Sequence, residues 1–331
     1  MHKIHPPSLP RRSEAKVGPI LIAGPTAVGK SEIALRFAEQ LGGEIISAAS
    51  MQVYRGLDIG TAKPSPADRA RVPHHLIDIC DLSESFDAAQ FARLAHRTVA
   101  EIQSRGRVPI LCGGTGLYFR AFLEGLGETP PGDAKLRAEL EAVPLEKLLD
   151  ELRERDPATF EKIDKKNPRR VVRAVEVIRL TNQPFSKQRA DWNVLQASSP
   201  EDLKSEIPAR YRNYVFCFNR SSDDLRARIN VRVDAMFQRG LVDETRELLK
   251  RGFEQNKTAM QAIGYRQVVE HLRGERSLKE TIELVKIRTR QFAKRQLTWF
   301  RAQKNLEWIE LKPDESVEAV AASLCCRLDT A

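Results

Sequence analysis

Gly24-Pro25-Thr26-Ala27-Val28-Gly29-Lys30-Ser31 is the stretch whose residue types and spacing most directly specify chemistry. An apolar run, Pro19 to Ala23, precedes it, and a helical pattern from Glu32 to Ala38 follows it. Strand, glycine loop and helix in that order are what a G-x-x-x-x-G-K-[ST] phosphate loop requires. Glycines let consecutive backbone N–H groups converge on one anion, and the helix N-terminus adds its dipole. Lys30 places a cation on the phosphates, and the Ser31 hydroxyl suits Mg²⁺. The loop therefore predicts a polyphosphate ligand without saying which one. Two arginines one helical turn apart, Arg228 and Arg232, share a face and can close on a diphosphate. Surface pairing with Asp224 and Glu244 is the plain alternative for them. A second strand–glycine–helix turn, Gly113-Gly114-Thr115-Gly116, presents further backbone N–H groups and the Thr115 hydroxyl.

The elements that must position these residues read as alternating strands and helices. Glu44–Ser47, His74–Ile79, Val108–Cys112 and Tyr214–Phe218 are strand-like, and Phe86–Arg105 carries apolar residues at helical spacing. The alternation predicts a parallel, doubly wound α/β sheet. Between the second strand and Pro64 lies a long polar, glycine-bearing segment, Ala48 to Pro64, of the kind that carries chemistry beside a strand end. Ser222 is expected to cap a helix whose apolar stripe is Leu225, Ile229, Val233 and Met236. Leu306–Leu311 reads as a final edge strand.

From about residue 128 the β-like runs stop until Tyr214, and helical patterns take over at Leu145–Arg155 and Arg169–Leu180. We therefore expect an all-helical insertion over residues 128–211 in an α/β core formed by 17–127 and 212–331. Residues 1–16 are expected to be a disordered tail. The insertion is basic, with Lys162, Lys165, Lys166, Arg169, Arg170 and Arg173, then Lys187 and Arg189. A second basic run with interleaved aromatics, including Phe292, lies on the helix expected from Leu284 to Lys304. Such runs are commonly solvated helix faces. With a formal charge of +9 on 331 residues, contact with a nucleic acid is the favoured reading.

The five cysteines form no C-x-x-C pair and are expected to be buried free thiols. No apolar run approaches a membrane span, and the N-terminal stretch lacks the apolar core of a secretory signal. A cytoplasmic monomer without zinc and without a membrane partner is the expectation. His74 and His75, at adjacent strand positions, would face opposite ways and not share a metal.

Taken together, the motifs resemble tRNA dimethylallyltransferases of the bacterial type. The resemblance rests on Gly24–Ser31, on Ser50–Pro64 (SMQVYRGLDIGTAKP), on Gly113–Tyr118, on Asn167–Ala174, on Gln261–Tyr265 and on Arg290–Gln296, in order from about residue 18 to 311. It implies a P-loop NTPase-like parallel sheet core with the helical insertion gripping a tRNA anticodon stem-loop. It further implies transfer of a dimethylallyl group from dimethylallyl diphosphate to N6 of adenosine 37, with Mg²⁺ and diphosphate release. By this resemblance Gly24, Pro25, Thr26, Ala27, Val28, Gly29, Lys30 and Ser31 hold the diphosphate, with Arg228 or Arg232 offsetting charge as the allylic C–O bond breaks. Thr26, Lys30 and Arg228 are the candidate catalytic groups, and Ser31 the Mg²⁺ ligand. The matching tRNA-contact positions are Ala49, Ser50, Met51, Gln52, Thr115, Arg137, Arg169, Arg170, Val171, Val172 and Arg173. They continue with Gln261, Ala262, Ile263, Gly264, Tyr265 and Arg266, and with Arg290, Gln291, Phe292, Ala293, Lys294, Arg295 and Gln296.

One position departs from the pattern. The family has an aspartate directly before its Ser-x-Gln-x-Tyr element, and this chain has Ala49. The resemblance makes that aspartate the general base for the N6 proton. Its loss predicts an impaired or inactivated form, slower by roughly 10²–10⁴-fold. Asp58 or a water is the natural substitute for it. Three other functions share part of the pattern: a small-molecule kinase, a prenyltransferase acting on free adenylate, and a non-catalytic tRNA-binding protein. The basic insertion disfavours the first two, and Ala49 lends weight to the third.

Overall fold

A computed structural model describes residues 18–127, 129–188, 214–303 and 306–329. The expected tail, Met1 to Lys16, lies outside the described residues, as do Arg189 and Lys304. The chain divides into two compact units, Met1–Gly116 with Pro208–Ala331, and Leu117–Ile207.

The first unit is built on six parallel strands in the order β3-β2-β4-β1-β5-β6. They are β1 (Ile20–Ala23), β2 (Gly43–Ala48), β3 (His74–His75), β4 (Val108–Gly113), β5 (Val215–Asn219) and β6 (Glu307–Glu310). The central strands read as continuous aliphatic runs because both faces are covered, and all of β1 and β2 is buried. Around them lie α1 (Lys30–Leu41), α2 (Pro66–Arg71) and α3 (Ala88–Ser104). The α/β alternation read from the sequence is the fold observed.

Helix α1 follows the phosphate loop directly and packs Ile33, Ala34, Phe37 and Ala38 into the sheet. Burying a side chain the size of Phe37 contributes about 1.5–3 kcal/mol. The helix stops at Gly42 (φ 62°), a left-handed cap that returns the chain to β2. At the other ends of β2 and β4 the strands approach so closely that a Cβ on Gly113 would lie 2.2 Å from the Ala48 carbonyl oxygen. Glycine is required there.

The second unit takes in α4 (Gly116–Glu124) from Leu117 on, then α5 (Ala134–Glu141), α6 (Leu145–Arg155), α7 (Pro157–Lys162), α8 (Pro168–Thr181) and α9 (Phe185–Gln188). Leu140, Leu148, Leu152, Phe160, Val171, Val172, Val175 and Ile178 form its own core. Buried Asp156 caps α7 through the Thr159 N–H (3.1 Å) and ties α9 to it through the Ser186 N–H (2.7 Å). The chain returns to the first unit through β5 and continues as α10 (Ser222–Gln238), α11 (Leu241–Lys250), α12 (Tyr265–Leu272), α13 (Leu278–Arg301) and α14 (Val317–Asp329). No described helix is long and apolar enough to cross a membrane.

Several expectations change at their edges. The strand expected over His74–Ile79 is only two residues long, because Leu76 (φ 59°) and Asp78 (φ 56°) take left-handed backbone conformations that end an extended run. Ser221, not Ser222, caps α10, accepting from the Asp224 N–H. Helix α13 starts at Leu278, six residues before the expected Leu284, because Ser277 and Glu280 form a capping box. Cys80, Cys112 and Cys217 are buried as expected, whereas Cys325 is only partly buried and Cys326 is exposed.

Candidate active site

The phosphate loop runs from the end of β1 to the start of α1. Gly24 has φ 143°, and a Cβ there would lie 2.7 Å from the Phe218 carbonyl oxygen on neighbouring β5, so both backbone and space demand glycine. Ala27 (φ 64°) and Gly29 (φ 107°) complete the curl. Three long side chains hold its outer carbonyls and one N–H. Arg220 donates through Nε to the Val28 carbonyl (2.8 Å), and its Nη1 reaches Asp224 and the Lys312 carbonyl. Arg228 donates through Nε to the Ala27 carbonyl (3.0 Å). Gln296 on α13 accepts from the Thr26 N–H (2.8 Å) and donates to the Gly114 carbonyl (2.8 Å), joining the two glycine turns.

Lys30 bends back on the loop and donates to the Pro25 carbonyl (2.8 Å). Burial lowers its pKa to about 8, opposed by the Cys112 thiol and assisted by the Arg232 charge. Burial alone lowers Arg232 to about 10, and burial, opposed by the Lys30 charge, pushes the thiols of Cys112 and Cys217 up to about 11 and about 12. The thiols thus stay neutral, and the site holds two cations short of counter-charge. That is a cradle for an anion.

Lys30, Ser31 and Arg232 stand where two cavities meet. The first, about 390 Å³, is lined by Thr26, Ala49, Ser50, Met51, Gln52, Gly60, Thr61, Ala62, Thr115, Gln261 and Arg295, with an apolar side of Val233, Met236, Ala262, Ile263, Val285 and Phe292. The other, about 560 Å³, lies between the loop and α10, with Ala27, Gly29, Arg228 and Val231 in its wall. Among the described residues, neither Asp, Glu nor His lines the first cavity. Ala49 presents only its methyl, and Asp58 is not in the lining but pairs with Lys63 (2.7 Å).

Thr115 anchors the β2 end by accepting from the Ser50 N–H (3.1 Å) while its own N–H donates to the Ala48 carbonyl (3.2 Å). Beyond it the Ser50–Pro64 segment is pinned from inside. Lys63 donates to the Tyr54 carbonyl (2.6 Å) and is bound by Asp58 and Asp78, and Arg69 adds a second contact to Asp78 (2.8 Å). Those cations hold the Asp78 carboxyl below the usual range against the opposing effect of burial.

The structure sorts the sequence-derived residues. Thr26, Lys30, Ser31, Ala49 to Gln52, Thr115, Arg232, Gln261 to Ile263, Phe292, Arg295 and Gln296 meet at the first cavity. Arg228 lines only the other. The surface ion pairs weighed for the two arginines do not form, since Asp224 pairs with Arg220 and Glu244 with Tyr265. Gly264, Tyr265 and Ala293 are buried and do not line the cavity. Arg266 pairs with Glu270 (3.3 Å), Arg290 donates to Asn230 (2.8 Å), and Gln291 and Lys294 are exposed outside the lining.

Within the second unit Val171 and Val172 are core residues and present no side chain to a polyanion, whereas Arg169 and Arg170 are exposed. Arg137 and Arg173 both bind the fully buried Glu176 carboxylate at 2.7 Å, and Arg173 also donates to the Pro130 carbonyl. Burial raises the Glu176 pKa, but the two guanidinium groups outweigh it and keep the carboxylate ionised.

Sequence reasoning missed Arg220, Met236 and Glu244. Arg220 lies directly before a helix cap with no motif around it, and only the fold brings it to a loop 192 residues away. Among the described residues no group of three or more His, Cys, Asp or Glu could hold a metal ion. Ser31 offers one hydroxyl, which fits Mg²⁺ that keeps its waters and takes its other ligands from a bound diphosphate.

Residues 52–303 match the family model described as IPP transferase. The chain is 43% identical over 297 residues to tRNA dimethylallyltransferase 1 of Citrifermentans bemidjiense, spanning 90% of this chain and 93% of that protein. It is 45% identical over 308 residues to the tRNA dimethylallyltransferase of Geobacter sulfurreducens, spanning 91% and 95%. Among solved structures it resembles the tRNA isopentenylpyrophosphate transferase of Bacillus halodurans (39% identity, TM-score 0.66, 95% of this chain and 98% of that one). It also resembles a eukaryotic dimethylallyltransferase acting on tRNA (26% identity, TM-score 0.75, 94% and 79%).

Proposed function

The chain belongs to the IPP transferase family, and from that premise we propose that it binds dimethylallyl diphosphate and a tRNA anticodon stem-loop for transfer of the dimethylallyl group to N6 of adenosine 37. The observation that carries this reading is the junction at Lys30, Ser31 and Arg232, where a cationic cradle opens onto a cavity with one apolar side. The diphosphate sits in the loop, and the five-carbon tail lies along Val233, Met236, Ile263, Val285 and Phe292. The acceptor adenine leaves its stack and enters past Ser50, Thr61 and Gln261, because an amine inside a stacked loop cannot reach a recessed carbon.

The allylic C–O bond breaks with its electron pair going to the departing diphosphate, and the N6 lone pair forms the new C–N bond. Lys30, Arg232 and the loop N–H groups stabilise charge gathering on the leaving group. Mg²⁺ at Ser31 would share that neutralisation when bound. The N6 proton must then leave. With Ala49 in the wall, the first cavity offers no carboxylate or imidazole to take it, so water or the diphosphate must accept it, and turnover is slow. The same feature favours, as second reading, a chain that binds tRNA without modifying it.

In the second unit the exposed Arg169 and Arg170, with Arg137 and Arg173 fixed by Glu176, supply salt-dependent backbone contacts to the stem-loop. The test is incubation with dimethylallyl diphosphate and Mg²⁺, offering a stem-loop or free adenylate as acceptor, followed by nucleoside mass spectrometry. Modified adenosine in the stem-loop alone supports the reading. Modified free adenylate, or ATP turnover with a phosphorylated small molecule, refutes it.

A further inference from the structure

Two short backbone segments face the first cavity, the one beside Ala49, without belonging to any helix or strand that could fix them: Gly60–Ala62, and Ala262–Ile263 just before α12. One pair of side chains connects them. Glu244, on α11, accepts the Ile59 N–H through both carboxylate oxygens at 3.0 Å. The Tyr265 hydroxyl, at the start of α12, accepts the Gly60 N–H at 3.0 Å and donates to Glu244 at 2.5 Å. The ring packs tightly against the loop, since a Cβ on Gly60 would meet Tyr265 Cε2 at 2.4 Å. Neither side chain lines the cavity.

A half-buried carboxylate that spends its lone pairs on one backbone N–H and one phenol is not placed to touch a ligand. It is placed to fix a distance. Tyr265 is two residues from Ile263, and Ile59 and Gly60 lead directly into Thr61 and Ala62, so the relay sets the spacing between the two wall segments. We propose that Glu244 and Tyr265 are positioning residues that hold these walls at the width needed to seat the acceptor base. This rests on the reading of the cavity as the acceptor site. A planar base held between two backbone segments tolerates little change in their separation, and charge-assisted hydrogen bonds to main-chain N–H groups are the stiffest means available of setting it.

The test uses a stem-loop with 2-aminopurine at the acceptor position, whose fluorescence rises when the base leaves its stack, so the readout needs no turnover. The chain is compared with Glu244→Gln, Tyr265→Phe and the double variant. We expect stem-loop affinity within about twofold of the parent, because phosphate contacts dominate it. Affinity for dimethylallyl diphosphate should be unchanged. The captured-base signal should fall about tenfold in each single variant, and the double variant should lose little more, as members of one network do. Full capture in both single variants overturns the proposal. If Glu244→Gln no longer binds dimethylallyl diphosphate, it has lost its fold, and Tyr265→Phe decides alone, full capture again overturning it. If the parent binds the stem-loop but shows no capture, the acceptor-site reading itself has failed and the positioning role falls with it.

Discussion

Lys30 makes diphosphate binding a proton-linked event. In the free protein burial holds its pKa near 8, against an ordinary value of 10.5. Bound diphosphate restores the missing counter-charge and moves the group back up. The sign follows from linkage: the complex holds a proton that the free site has lost, so affinity is greatest below pH 8 and declines above it. Between about pH 8 and pH 10 the dissociation constant should rise about tenfold per unit, or about 1.4 kcal/mol. Arg232, lowered to about 10, adds to the loss only near the top of that window, and the thiols of Cys112 and Cys217 remain neutral through it. Calorimetry with dimethylallyl diphosphate in two buffers of different ionisation enthalpy measures the linkage directly. Proton uptake should approach one per site at about pH 9 and vanish at about pH 6. Lys30→Arg should keep much of the affinity and lose the slope, because a guanidinium does not titrate in this range. Affinity that is flat from pH 7 to pH 9.5 with no proton uptake would refute the argument.

Two further outcomes follow from buried connections. Gln296→Ala removes both hydrogen bonds that join the phosphate loop to the Gly114 turn. It should cost about 1–3 kcal/mol in urea unfolding and weaken diphosphate binding in the same calorimeter. Glu176→Gln leaves Arg137 and Arg173 without their shared carboxylate. Breaking that arrangement should destabilise the second unit by about 3–5 kcal/mol, seen as an earlier thermal transition, while diphosphate affinity stays at the parent value.

How far the sequence revealed these features depends on the range of the interaction. The phosphate loop, the central strands and the α6 boundaries follow from local rules: glycine where φ is positive, aliphatic runs where both sheet faces are covered, and apolar spacing along a helix. His74–Ile79 was misread because non-glycine residues rarely adopt positive φ, and nothing local marks Leu76 or Asp78 as doing so. The motif Arg290–Gln296 was legible as functional but not in its division of labour. Only the register of α13 turns Gln296 inward to the phosphate loop and leaves Lys294 outward. Likewise Tyr265 reads as a contact residue in sequence, and only the fold shows its hydroxyl bonded to the backbone of Gly60. The contacts of Arg220 with Val28 and of Glu244 with Ile59 left no signal in sequence, since these pairs lie 192 and 185 residues apart.

Among the described residues no carboxylate lines the cavity that Ala49 faces; that bears on the central claim, and one rate comparison tests it most directly. Single-turnover transfer from dimethylallyl diphosphate to an anticodon stem-loop should be measured for this chain and for Ala49→Asp, with both substrates saturating. The account predicts that Ala49→Asp is faster by about 10²–10⁴-fold, with stem-loop and diphosphate affinities close to those of the parent. Equal rates in the two forms, or no transfer by either despite tight binding of both substrates, would contradict it.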